Sequence, residues 1–288
     1  MDSLPASVKY VRFERAGVER YGIWEGDLFK ELYGSPLNGV RETGREFLRS
    51  ETRLLVPCLP SKVLAVGLNY ASHREHVEGS EGVIRNASGR PVPSHYPGVF
   101  AKFPTSLIAD GDPIVLPDDA TNVHFEGELV VIVGATATHV PLADADRYIF
   151  GVTVGNDLVD REWLLEDLQW FRAKGADGFG PIGPAIVTGL DINNLAVETR
   201  VNGEVRQSSN TRELVFSPQE ILSYCSRYVT LLPGDVIFTG TPGKTQRVDR
   251  GDTVEVTIGG VGTLRNTVAR AATSRTCRAA ARDTPTAG

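Results

Sequence analysis

HFEGELVVIVG, residues 124–134, sets two acids directly before an unbroken apolar run. A continuous β-branched and leucine run of this length predicts a strand buried on both faces, in the interior of a sheet. Side chains at i and i+2 of a strand share a face, so Glu126 and Glu128 project together at its mouth. Two adjacent carboxylates repel one another, and either water or a neutralising group must relieve them. A hard divalent cation does so where the ligands are oxygens. Taken alone, the pair reads equally well as a solvated strand edge. His124 shares that face, and a lone histidine there reads as a polar neighbour and not as a ligand.

Working outward, YIFGVTVGNDLVDREW (148–163) repeats the pattern. An apolar strand over Ile149–Asn156 ends at a turn carrying Asp157, which reads equally as an acid completing a site built on a neighbouring strand and as the cap of the helix that follows, with Arg161 on the surface. Arg161, four residues on, reaches either that acid or an anionic substrate. Further strands are expected at Pro113–Leu116, Ala185–Thr188, Ala196–Val201, Asp235–Thr239, Thr253–Ile258 and Gly262–Val268. Helices are few: one after Leu142, one from Val159 to Trp170, and one over Pro218–Tyr228. The last has Ser217 as N-cap, Pro218 at the first position and Glu220 three residues after the cap. Strands that do not alternate with helices predict an α+β fold with a mixed sheet. WFRAKGADGFGPIGPAIV (170–187) reads as backbone suited to close approach rather than packing.

Residues 8–33 read as a three-strand meander and SPLNGVRETGREFLRS (35–50) as a stretch holding a short helix, so residues 1–57 form a small N-terminal domain. Val77–Pro97 is long enough to read as a lid. Ala271–Gly288 lacks large apolar residues and reads as a disordered tail.

In 288 residues, Lys plus Arg number 30 against 36 Asp plus Glu, a formal net charge of −6 that offers no basic footprint for nucleic acid or an anionic membrane. The opening residues carry no secretory signature, and no apolar run is long enough to span a bilayer. Cys58, Cys225 and Cys277 form no CxxC pair, so neither zinc nor a disulfide framework is expected. A cytoplasmic protein is expected. GKT at 243–245 lacks the upstream glycine of a phosphate-binding loop, because Phe238 stands there. LLPGDVIFTGTP (231–242) instead ends a strand in a turn of small residues that can bind a carboxylate.

GLNYASH, FAKFPTSL, HFEGELVVIVG, GVTVGNDLVDRE, KGADGFGPIGPAIV, RVNGEVRQSSNTRELVF and LLPGDVIFTGTP occur in this order. Over residues 61–270 the chain thereby resembles the fumarylacetoacetate hydrolase family, and its first residues resemble the small domain of many bacterial members. The resemblance implies a mixed, rolled β-sheet, a homodimer, and Mg²⁺ or Mn²⁺ held by Glu126, Glu128 and Asp157. It places Lys174 near metal and substrate, and the Thr239–Pro242 turn on the substrate carboxylate, with Thr241 as its hydroxyl contact. Tyr70 and Arg161 are the other implied substrate contacts. In hydrolytic members the NYxxH histidine, here His73, works with a glutamate three residues later. That position is His76, leaving Glu75 or Glu78 as candidates. Leu164 replaces a common glutamine, and GKTQ follows the TGTP turn in place of Gly-Val-Gly. The expected activity is C–C bond hydrolysis of a small acylpyruvate or β-diketo acid. The runners-up are decarboxylation, hydration or tautomerisation of a 2-oxo acid such as oxaloacetate, then a lapsed dicarboxylate-binding protein.

Overall fold

A computed structural model describes residues 7–81 and 95–270. The expected tail, with Cys277, lies outside the described residues, as does most of the expected lid.

The architecture is α+β with mixed sheets. A 12-stranded sheet runs in the order Glu42–Leu48, Leu28–Leu32, Val18–Glu25, Val8–Arg15, Gly180–Thr188, Ile149–Asn156, Gly127–Val133, Val236–Phe238, Val63–Gly67 and Gly98–Lys102, with two short strands pairing off this path. Most neighbours are antiparallel; Val236–Phe238 and Val63–Gly67 pair parallel. A five-stranded sheet orders Glu204–Asn210, Ala196–Val201, Thr253–Ile258, Gly262–Arg270 and Ile114–Leu116. Its alternating face, Val254, Val256 and Ile258, packs with Leu129, Val131 and Val133 in the main core. The other face of the central strand, Val130 and Ile132, packs with Phe238 and Ile182. Every residue of Gly127–Val133 is therefore buried, as a two-sided interior strand requires.

Three expectations change. The stretch 35–50 holds a 3₁₀ turn at Pro36–Asn38, and its residues 42–48 form a strand that was not expected, paired to Leu28–Leu32 and tied down by Thr43 and Arg45, which both bond Glu31. The 159–170 helix is two short ones, Arg161–Glu166 and Phe171–Gly175. Asp160 caps the first through the N–H groups of Glu162 and Trp163. Asp167 turns extended after it, and its carboxylate takes the Arg172 and Ala173 N–H groups at the start of the second. The strand expected at Ala185–Thr188 starts earlier: residues 180–184, read from Gly and Pro content as non-packing backbone, belong to one buried strand, Gly180–Thr188, between Val8–Arg15 and Ile149–Asn156. Its small residues suit the close approach of neighbours: a Cβ on Gly180 would lie 3.0 Å from both Leu107 Cδ2 and Ser106 Oγ. The helix at Pro218–Ser226 carries the expected capping box.

Candidate metal centre

Strand register assembles the acids. Gly127 pairs with Asn156 and Glu128 with Gly155, which sets the next residue of one strand, Asp157, beside the preceding residue of the other, Glu126. The Asp157 N–H donates to the Glu126 carbonyl at 2.8 Å, and Asn156 Oδ1 accepts from the Glu126 N–H at 2.9 Å. Carboxylate oxygens of Glu126, Glu128 and Asp157 all lie within 4.8 Å of one another, and all three side chains are buried.

The short helix Phe171–Gly175 delivers Lys174 into this group. Its ammonium donates to Glu126 Oε2 at 2.6 Å and Asp157 Oδ2 at 2.7 Å. Burial opposes its charge, yet Asp157 and Glu126 outweigh burial and hold its pKa above the ordinary value. Burial likewise pushes Glu126 up, but Lys174 and then Arg161 bring it below the usual carboxylate range. Glu128 goes the other way. Burial, then Asp157 and Glu126, raise it well above that range, against the opposing Lys174 charge and the Gly240 N–H bonded to Oε2 at 2.6 Å.

The donor set suits a hard divalent cation. It is all oxygen, its net requirement for positive charge shows in the raised Glu128, and Asp157 Oδ1 is buried with no hydrogen-bond partner.

The remaining candidates divide. Arg161 donates to Thr245 Oγ1 at 2.8 Å and reaches Glu126 Oε1 at 3.4 Å. The Tyr70 side chain is fully buried with its hydroxyl unpartnered; burial, then the Glu128 charge, raise its pKa. His73 sits in the first turn of the helix Ala71–Glu81, and its Nδ1 lies 2.6 Å from the Gly243 carbonyl. A carbonyl only accepts, so Nδ1 carries the proton and Nε2 has the free lone pair. Burial lowers the His73 pKa, with the Glu126 charge opposing. Glu75 is not brought to His73: two residues apart on a helix is 200° of rotation, and Glu75 is exposed. The Glu78 side chain lies outside what is described.

Thr241 also differs from expectation. Its hydroxyl donates to the Gly127 carbonyl at 3.0 Å and accepts from Gln207 Nε2 at 2.9 Å, so its one proton is committed to the fold. The turn is held from the other side by Asn69, which donates to the Thr239 carbonyl. Gly240 there has φ +107°, and a Cβ would lie 2.7 Å from the Asn69 Cβ. His124 bonds Thr245 and Asn122, and burial, then Arg161, lower its pKa to about 4.

Lys102, Gln207 and Asn69 went unassigned from the motifs that contain them. Each acts across more than thirty residues of chain, on a carbonyl or hydroxyl oxygen that no local pattern announces. Cys58 and Cys225 are buried and free, and burial pushes both thiols up to about 12. Among the described residues no helix is long and apolar enough to cross a membrane.

The family model described as "Fumarylacetoacetate (FAA) hydrolase C-terminal" matches residues 62–269, and that described as "Rv2993c-like, N-terminal" matches residues 8–57. The chain is 37% identical to the mitochondrial oxaloacetate tautomerase Fahd2a of Rattus norvegicus, over 76% of this chain and 70% of that protein. It superposes with TM-score 0.82 and 40% identity on 5-carboxymethyl-2-hydroxymuconate delta-isomerase from Mycobacterium smegmatis, covering 91% of this chain and all of that one. Maleylpyruvate hydrolase from Sphingobium sp. SYK-6, solved with manganese(II) and pyruvate, aligns with TM-score 0.72 and 26% identity over 91% of this chain and 99% of that one.

Proposed function

Since this chain belongs to the fumarylacetoacetate hydrolase family, we propose that it is a divalent-metal-dependent enzyme catalysing enol–keto tautomerisation of a small 2-oxo dicarboxylic acid such as oxaloacetate. The observation that carries the metal dependence is the convergence of three buried carboxylates on one point with a lysine beside them. Glu126, Glu128 and Asp157 are the ligands, and Mg²⁺ or Mn²⁺ the ion. When bound, it supplies a Lewis acid that acidifies the carbon next to a coordinated carbonyl.

The chain's own groups do the rest. Arg161, half-buried and steered by Thr245, offers a guanidinium to a carboxylate. Lys174 places a fixed positive charge where oxyanion character develops. His73, neutral with Nε2 bare, takes a proton from one tautomer and returns it to give the other. The buried Tyr70 hydroxyl, without a partner in the fold, is free to bond the substrate.

Hydrolysis of an acylpyruvate, which the motif order favours, becomes the second reading. A carbonyl, not a carboxylate, holds His73 Nδ1, and Glu75 faces away, so among the described residues no acid pairs with that nitrogen to strengthen the histidine as a base for water. The likeness to maleylpyruvate hydrolase keeps that reading in view.

Purified protein with Mn²⁺ is offered enol-oxaloacetate, followed by ultraviolet absorbance, and acylpyruvates, followed by chromatography. Enol consumption without CO₂ or a cleaved acid is expected, and His73→Ala removes it while Mn²⁺ binding persists. Pyruvate plus a carboxylic acid as the main products supports hydrolysis instead. Binding without turnover of either substrate class means a lapsed enzyme.

A further inference from the structure

Lys102 is a buried charge that the mechanism above leaves unused. It ends the strand Gly98–Lys102, and its side chain has no exposed surface. The ammonium lies 2.8 Å from Asp157 Oδ1 and donates to the backbone carbonyl of Lys174. The contact with Oδ1 is a buried ion pair. Burying an ammonium at the end of an edge strand is costly, and an apolar residue would avoid the cost. Lys174 lies against Glu126 Oε2 and Asp157 Oδ2. Lys102 thus sits on the one Asp157 oxygen that Lys174 leaves open, which is an oxygen a bound ion would also need.

We propose that Lys102 tunes the metal centre: its ammonium competes with the bound ion for Asp157, loosening the protein's hold and leaving more of the ion's charge for an anionic substrate. The inference rests on the reading of Glu126, Glu128 and Asp157 as ligands. Lys102 acts through Asp157 and through the Lys174 carbonyl and does not touch the substrate, which makes it a positioning residue. An anchoring role alone predicts that its loss weakens ion and substrate binding together. Tuning predicts opposite signs, because a carboxylate relieved of a neighbouring cation becomes the better ligand, while a centre poorer in positive charge holds anions less well.

Calorimetric titration of the full chain with MnCl₂, then of the Mn²⁺-loaded chain with oxalate, separates the two. Lys102→Met is expected to bind Mn²⁺ about tenfold more tightly and oxalate about tenfold more weakly than the unaltered protein. Lys102→Gln keeps a donor for the Lys174 carbonyl and loses only the charge, so it should show the same pair of shifts. Mn²⁺ affinity unchanged or weakened in a folded neutral variant overturns the inference. Failure of both variants to fold assigns Lys102 to stability and overturns it too. If the unaltered protein binds no Mn²⁺, the ligand reading itself falls, a result distinct from unaltered protein that binds while the variants show no shift.

Discussion

Asp235 illustrates how single side chains hold this molecule together. Its carboxylate is buried and accepts from Ser61 N–H (2.9 Å), Ser61 Oγ (2.7 Å), Lys62 N–H (3.1 Å), Lys62 Nζ (2.5 Å) and Leu232 N–H (2.7 Å). It thereby fastens the starts of two parallel strands, Val63–Gly67 and Val236–Phe238. Asp235→Ala leaves those donors without their acceptor and should cost about 3 kcal/mol in a denaturant melt. Burial pushes the Asp235 pKa up, but Lys62, the Leu232 N–H and Ser61 outweigh it and hold it below the ordinary value. A folded pKa below the unfolded one means the contribution is complete above the unfolded value of about 3.9 and disappears as pH falls through the folded one. The gap in melting temperature between Asp235→Ala and the unaltered protein should thus narrow in strong acid. A gap that stays constant to low pH would contradict the charge account. At the site, Lys174→Met should lower kcat on enol-oxaloacetate by about 10²- to 10³-fold with Mn²⁺ uptake retained; an unchanged kcat would remove Lys174 from the chemistry.

The elements were unequally legible. Gly127–Val133 announced itself because a two-sided strand carries its own signature, and the i, i+2 spacing placed Glu126 and Glu128 on one face before any contact was known. Asp157 was legible as the acid at the end of the neighbouring strand. Ala185–Thr188 was legible too, but the first half of that strand, residues 180–184, was not, because glycine and proline there serve close packing and composition alone reads such residues as loop. The break between Arg161–Glu166 and Phe171–Gly175 was hidden for a similar reason. It depends on the Asp167 carboxylate folding back on later N–H groups, whereas apolar periodicity continues across it. Thr241 was assigned to substrate from the family resemblance; only the fold shows its proton given to the Gly127 carbonyl and its oxygen taking the Gln207 amide from a different sheet. Gly155 lies where such packing meets the site. A Cβ there would fall 2.4 Å from Val130 Cγ2 and 2.5 Å from the Phe238 ring, two residues before Asp157. Gly155→Ala should destabilise the fold by about 1–3 kcal/mol and weaken Mn²⁺ binding through the displaced turn. A variant with unchanged stability and Mn²⁺ affinity would show that the strands give way without moving the acids.

For the whole molecule, one polypeptide brings together groups from across its length: Lys102, Glu126, Glu128, Asp157 and Lys174 at the charged centre, Asn69, Gln207 and Gly240 as its frame. We propose that it works as a homodimer, since Leu165, Leu168 and Phe171 present large apolar side chains to solvent in the single chain, surface that a second copy would cover. Sedimentation velocity at micromolar concentration should give a dimer, and a monomer would refute this. The chemistry, by contrast, stands or falls with the ion. The measurement that bears on it most directly is anomalous diffraction from a crystal soaked in MnCl₂. One manganese peak bounded by oxygens of Glu126, Glu128 and Asp157 is the predicted result. A map with no peak there, or with the three carboxylates turned away from one another, would contradict the account at its centre.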